Sequence, residues 1–196
     1  MNSSSAPSKI IQPRNQRILH REKLTSELTS HQKQSPLIWI SAPGGSGKTT
    51  LINSYLSKNK KKNIWYQIDE GDADPATLFH YLKLSAAKLS AKDSIALPAL
   101  TAEYMPGISH FTRRFMDTLA SILKPQGSIV FDNLHLLAED SIFYTLLPVM
   151  VDSMQPGQAI IIISRQQPPA SLVSLKASQK LVHISEQSLR FDEKEW

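Results

Sequence analysis

The sequence predicts an α/β fold, a parallel sheet with helices on both faces. Three observations predict it. Five short apolar runs of strand length alternate with stretches of helical apolar spacing along the 196 residues, which is the pattern of strands joined by helical crossovers. One run, Ala159-Ile160-Ile161-Ile162-Ile163, is apolar throughout, as a strand covered on both faces must be. The first run ends in a glycine-rich turn that opens directly into a helix.

Residues 1–9 are Ser-rich and polar, and composition predicts a disordered tail. Residues 10–36 form a separate leading segment. It holds Pro13 and then Arg17-Ile18-Leu19-His20-Arg21-Glu22-Lys23-Leu24, with Leu28 one turn on. From Arg21 it reads as a short helix with Leu24 and Leu28 on one face.

Residues 37–196 carry the α/β pattern. Leu37-Ile38-Trp39-Ile40 is the first strand. Ser41-Ala42-Pro43-Gly44-Gly45-Ser46-Gly47-Lys48-Thr49-Thr50 follows, and a helix runs from about Thr49 to Ser57. Strand, glycine loop, Gly-Lys-Thr and helix together make the phosphate-loop (Walker A) pattern, with Ala42 where Gly is commoner. Gly44, Gly45 and Gly47 can take backbone angles that aim successive N–H groups at one phosphate. The helix N-terminus adds its positive dipole end. Ser46 and Thr50 flank the groups expected to do most. Lys48 would reach the outer phosphates, and the Thr49 hydroxyl would ligate magnesium. The leading segment then has two readings: an ordinary amphipathic helix, or a lid that lays Ile18 and Leu19 against a nucleotide base.

The second strand is Asn63 to Ile68, followed by the acid-rich Asp69-Glu70-Gly71-Asp72-Ala73-Asp74-Pro75. Asp74 with Pro75 reads as a helix cap and first turn. The acids could instead form a metal site, although the calcium-loop pattern is absent. The helix after them turns Leu78, Phe79, Tyr81, Leu82, Ala86 and Leu89 inward. Residues 92–107 look irregular, and Ile108 to Leu123 is a helix with Phe111, Phe115, Leu119, Ile122 and Leu123 inward. Arg113 and Arg114 fall on its outer face.

Ser128-Ile129-Val130-Phe131-Asp132 is an apolar strand ending in an acid. At the C-terminal edge of a parallel sheet Asp132 would stand beside the phosphate loop and hold magnesium, directly or through water. Asn133 follows it. An amide can orient a water but cannot take its proton. His135 either serves the outer phosphate or makes a structural hydrogen bond. Asp140 is expected to cap a helix over Ile142 to Met154, which Pro156-Gly157 ends. The Ala159 strand runs out into Ser164-Arg165, where Arg165 is either a sensor of the outermost phosphate or a surface residue. Leu181 to Ile184 is the last strand, and Asp192 looks like a further cap.

Composition sets outer bounds. With no cysteine, disulfides, thiol catalysis and cysteine-based zinc sites are excluded. Residues 1–5 show no apolar signal-peptide core, and no apolar run is long enough to cross a bilayer. The expected location is the cytoplasm, with no membrane contact. The net charge of +5 is uneven: residues 1–36 hold six basic residues against two acids, and Lys58, Lys60, Lys61 and Lys62 cluster further on. That leaves nucleic-acid contact as a rival reading, but no aromatic residues are interleaved for base stacking.

The motifs resemble those of MalT-like STAND ATPases, the large LuxR-type transcription activators. The resemblance is carried by Ser41 through Leu51, by Trp65-Tyr66-Gln67-Ile68-Asp69-Glu70-Gly71-Asp72, by Phe131-Asp132-Asn133-Leu134-His135-Leu136, by Ser164-Arg165 with Pro168-Pro169, and by Leu189-Arg190-Phe191. It implies a P-loop NTPase three-layer sandwich with five parallel strands in the order 5-1-4-3-2. It implies an adenine-side motif over Arg17 to Glu22, with Ile18 and Arg21 as contacts and His20 in place of the usual Gly. It implies an ATP/ADP switch with Mg2+ that hydrolyses slowly and self-associates in the ATP state, using Lys48, Asp132 and Arg165. Asn133 departs from a second Asp common in the family. Family members continue past the equivalent of Trp196 into further domains, so DNA binding is expected only through regions outside this sequence. Rival readings are an actively hydrolysing AAA-like ATPase, which calls for an acid at Asn133, and a small-molecule kinase, which calls for a lid rich in arginine.

Overall fold

The computed structural model describes residues 7–13, 21–59, 62–123 and 125–189. A 3-10 turn at Ser8–Ile10 precedes α1 (Glu22–Gln34), β1 (Leu37–Ser41), α2 (Lys48–Asn59) and β2 (Asn63–Gln67). Then come α3 (Pro75–Leu89), the short α4 (Ala91–Ser94), α5 (Ile108–Leu123) and β3 (Ser128–Asp132). The chain continues through α6 (Ile142–Asp152), β4 (Ala159–Ser164), α7 (Val173–Ala177), β5 (Leu181–Ile184) and α8 (Glu186–Leu189).

The five strands form one sheet in the order β2-β3-β4-β1-β5. Every pairing is parallel, with Leu37 opposite Ile160 and Leu181, and Gln67 opposite Asp132 and so on across the sheet. This is the expected order 5-1-4-3-2 read from the other edge. Strand alternation sorts the core into two layers. Leu37, Trp39, Ile64, Tyr66, Ile129, Phe131, Ile160 and Ile162 face α3, α5 and α6. Ile38, Ile40, Trp65, Val130, Ile161 and Ile163 face α1 and α2, where Leu24, Leu28, Leu51, Ile52, Tyr55 and Leu56 meet them. The isoleucines of β4 are buried from end to end because both faces are covered.

Several sequence expectations shift by local chemistry. Residues 8 and 9, expected in a disordered tail, lie in the 3-10 turn, because Ile10 is buried and Lys9 pairs with Asp69 and Asp72. Residues 92–107 are less irregular than their Pro and Gly content predicts. Ser90 caps α4 at the Asp93 N–H, Leu97 is buried, and Ala102–Gly107 form a 3-10 turn. Ser141, not Asp140, caps α6, because the helix begins at Ile142 and Ser141 Oγ faces the Phe143 N–H at 3.4 Å. Asp192 lies outside the described residues.

The acid-rich loop after β2 consists of caps. Asp74 accepts from the Ala76 and Thr77 N–H groups, and Asp69 and Asp72 form a reciprocal capping box around a 3-10 turn at Glu70–Ala73. Gly127 marks the turn into β3. A Cβ there would lie 2.6 Å from the Lys62 carbonyl oxygen and 2.7 Å from that of Leu123, so only glycine lets the three backbones approach.

Candidate functional site

The five parallel strands all end at one edge of the sheet, and Ser41 of β1, Asp132 of β3 and Ser164 of β4 end there. Ser41 closes β1 and Ala42 is buried beneath the loop. Gly45 and Gly47 both have φ of +78°, the left-handed region that favours glycine. A Cβ at either would meet nothing within 4 Å, so backbone angle, not space, demands glycine there. The loop feeds α2 at Lys48, so the free N–H groups and the dipole of a 12-residue helix point at the loop.

Lys48 is 8% exposed. Its ammonium donates to the carbonyl oxygens of Ala42 at 2.6 Å and Pro43 at 2.8 Å and to Ser46 Oγ at 3.1 Å. It is therefore held over the loop, within reach of any anion the loop takes. Burial, then the nearby Arg165 charge, pull its pKa below the usual lysine value, against the pull of Asp132. Thr50 is half-buried in the first turn of α2, and Ser46 Oγ donates to the Pro43 carbonyl at 2.9 Å.

Asp132 ends β3 and is 2% exposed. Thr49 Oγ1 lies 3.2 Å from its Oδ2 and 3.4 Å from its Oδ1, and the Asn133 N–H donates to Oδ1 at 2.9 Å. Burial pushes this carboxyl above the usual aspartate range, while the Thr49 and Asn133 hydrogen bonds and the Lys48 charge pull the other way. The sequence pairing of Thr49 with Asp132 is thus brought together. Two side chains do not make a complete cation site. Among the described residues no group of three or more His, Asp or Glu side chains could hold a metal. A hydroxyl and one carboxylate do fit Mg2+ bound with phosphate, since that ion keeps several waters and shares ligands with its substrate.

Asn133 has φ of 64° and opens a 3-10 turn over Leu134–Leu136. His135 Nδ1 is buried with no hydrogen-bond partner in the structure, so the structural hydrogen bond considered from sequence is not made at that atom. Burial, then the Arg165 and Lys48 charges, hold the imidazole's pKa below its usual value, which keeps the ring neutral at pH 7. Arg165 leaves β4 exposed and folds against the loop, where a Cβ on Gly44 would lie 3.6 Å from its Cζ.

Beside the loop lies a cavity of about 490 Å³ lined by Ser41, Ala42 and Pro43, by Arg165 and Gln167, and by Ser185, Glu186 and Gln187 after β5. The last three were missed from sequence. The signal was available, because they follow the C-terminal end of a strand adjacent to the phosphate-loop strand. Also missed was the pairing of Ser41 Oγ with His183 Nε2 at 2.7 Å, which joins the loop's entrance to β5. Ile18 lies outside the described residues. Arg21 is buried, and its guanidinium donates to the Leu189 carbonyl of α8 at 2.6 Å.

No family model matches the chain. Curated relatives do. The chain is 27% identical over 192 residues to the HTH-type transcriptional regulator MalT of Cronobacter sakazakii, covering 96% of this chain and 21% of that protein. Against MalT of Vibrio cholerae it is 26% identical over 193 residues with the same coverage. The chain thus spans about a fifth of the length of the curated relatives it matches. Among solved structures, a Walker-type ATPase of Pyrococcus abyssi aligns with TM-score 0.53 and 17% identity over 93% of this chain and 57% of that one. The chain carries the P-loop NTPase fold and resembles the MalT-type transcriptional regulators across 96% of its length.

Proposed function

We propose that this chain is an ATP/ADP-binding switch module of a signal-responsive transcriptional regulator, with slow hydrolysis. The observation that carries the reading is the convergence of Lys48, Thr49 and Asp132 on the glycine loop, with an amide next to Asp132 where an acid would favour turnover. Gly44, Gly45, Ser46, Gly47 and Thr50 would surround the phosphates with backbone N–H groups. Lys48 would exchange its loop carbonyls for phosphate oxygens. Thr49 and Asp132 would hold Mg2+, which when bound supplies charge neutralisation between the outer phosphates. Arg165, already against Gly44, would register the outermost phosphate. Asn133 can orient a water but cannot accept its proton, so turnover stays low. The adenine side would fall to Ile18 and Arg21.

In the whole regulator, ADP would hold a closed monomer and ATP would permit self-association. DNA would be contacted by regions outside this sequence. Such a protein works in the cytoplasm, and among the described residues no helix is long and apolar enough to cross a membrane. The test is to denature the purified protein, identify the released nucleotide by ion exchange and follow phosphate release. The reading expects a bound adenine nucleotide near one per chain and slow turnover that Asn133→Asp raises without altering affinity. Rapid turnover that climbs with protein concentration would contradict it.

A further inference from the structure

The segment Pro7–Pro13 is tied down at both ends. At one end Lys9 Nζ meets Asp69 Oδ2 at 2.7 Å and Asp72 Oδ1 at 2.9 Å, and stands 4.8 Å from the Tyr81 ring centre and 5.4 Å from that of Tyr66. Asp72 is 1% exposed, and Tyr66 Oη donates to it at 2.5 Å. Ile10 is buried among the side chains of the α3 face, and Lys88 of α3 donates to its carbonyl at 2.7 Å. At the other end the Gln12 amide donates to Asn53 Oδ1, and Asn53 Nδ2 donates to the Pro13 carbonyl. Asn53 lies on α2, on the opposite face of the sheet. The segment is therefore a strap that passes around the β2 side of the sheet, from the α3 layer to the α2 layer.

Both anchors adjoin the candidate phosphate site. Asn53 sits four residues beyond Thr49 in α2, one turn along the same face. At the other end β2 pairs with β3 up to Gln67 opposite Asp132, and the Ile68 N–H donates to the Asp132 carbonyl at 2.8 Å. The strap thus joins the helix that bears Lys48 and Thr49 to the strand pair that bears Asp132, by a route separate from the Thr49–Asp132 contact itself. Lys9 makes the ion pair that fastens its first end, and Lys88 adds a hydrogen bond to the Ile10 carbonyl. Burial opposes the Lys9 charge, but Asp69 and Asp72 outweigh it and hold the ammonium charged.

We propose that Lys9 is a positioning residue for nucleotide binding. Its ion pair with Asp69 and Asp72 keeps the strap in place, and the strap fixes α2 against the β2–β3 end so that Lys48, Thr49 and Asp132 are preorganised for a magnesium-bound polyphosphate. The inference rests on the nucleotide-binding reading above. A site whose groups are already fixed loses less freedom on binding, and that difference appears as affinity. The Asn53 anchor is on the helix that bears Lys48 and Thr49, so the effect is expected to act through α2.

The test compares the wild-type chain with Lys9→Met, which keeps the aliphatic stem, and Lys9→Arg, which keeps the charge. Hydrogen exchange without nucleotide should show the amides of 51–56 in α2 opening faster in Lys9→Met and unchanged in Lys9→Arg. Titration calorimetry with Mg-ATP and Mg-ADP should show about tenfold weaker binding for Lys9→Met, within the usual range for coupled sites, and restoration in Lys9→Arg. Faster exchange confined to the strap and the Asp69–Asp72 turn, with α2 and both affinities unchanged, would overturn the proposal and leave Lys9 a local fastener. A wild-type chain that binds neither nucleotide would sink the underlying reading and the proposal with it. The exchange of α2 would then still report whether the strap is mechanically coupled.

Discussion

Asp132 and Asp72 are two buried carboxylates at the same edge of the sheet, one ending β3 and one in the turn after β2. They are 2% and 1% exposed. Asp72 is surrounded by donors: the Lys9 ammonium, the Tyr66 hydroxyl and the Asp69 N–H. Asp132 receives one backbone N–H and a long contact from Thr49. Lys48, whose charge acts on it, is turned onto loop carbonyls. On the function proposed above, the difference separates a structural joint from a ligand site. A buried charge whose partners are all in place stabilises the fold only as part of that set, and losing one partner is expensive. A buried charge with room left for a cation lowers stability and gains function.

The largest expected effect is on the ligand side. Lys48→Ala should weaken Mg-ATP binding about 100-fold, the loss of charge-assisted hydrogen bonds worth roughly 3 kcal/mol, with the melting temperature of the ligand-free chain little changed. Calorimetric titration beside a thermal melt checks both halves. If the variant bound as tightly as wild type, the phosphate loop would not be the site.

Next is the joint. Asp72→Asn should lower unfolding stability by about 2 kcal/mol, one charge-assisted hydrogen bond in a buried setting. Urea denaturation at neutral pH measures it. No loss would mean that the Lys9–Asp69 pair alone suffices.

The smallest effect has the opposite sign. Burial raises the Asp132 carboxyl above its ordinary value, so the folded chain binds that proton more tightly than the unfolded chain does. Ionising it therefore lowers stability. The penalty builds as pH rises from about 3.9, the unfolded value, through the raised folded value, and stays constant above it. Asp132→Asn removes the penalty. Its melting temperature should exceed that of wild type at pH 7, with the gap closing as pH falls towards 4, while magnesium-dependent nucleotide affinity disappears. A variant less stable than wild type at pH 7 would show that Asp132 is as well partnered as Asp72.

The same contrast explains what the sequence disclosed. The phosphate loop, the Asp132 strand end and the order of strands and helices depend on local spacing, so residues 41–50 and 128–133 could be read directly. The capping role of Asp74 was legible for the same reason. The Lys9 joint was not, because Lys9 and Asp72 are 63 residues apart and nothing near Lys9 hints at a partner. The acid-rich loop looked like capping or a metal site, and only packing shows that its one fully buried carboxylate is closed by a lysine and a tyrosine. Ser41 and His183 meet across adjacent strands, a contact set by sheet order. The cavity residues 185–187 follow the end of β5 as Asn133 follows the end of β3, so their place at the site is a strand-end property too.

Titration calorimetry of Mg-ATP and Mg-ADP into the wild-type chain and Lys48→Ala decides whether this edge of the sheet is a nucleotide site. One site per chain for each nucleotide, lost in Lys48→Ala, is the predicted result, and saturating ligand at about 100 times its Kd should add ~2.7 kcal/mol to the chain's stability. No binding by the wild-type chain, or binding that Lys48→Ala leaves intact, would contradict it.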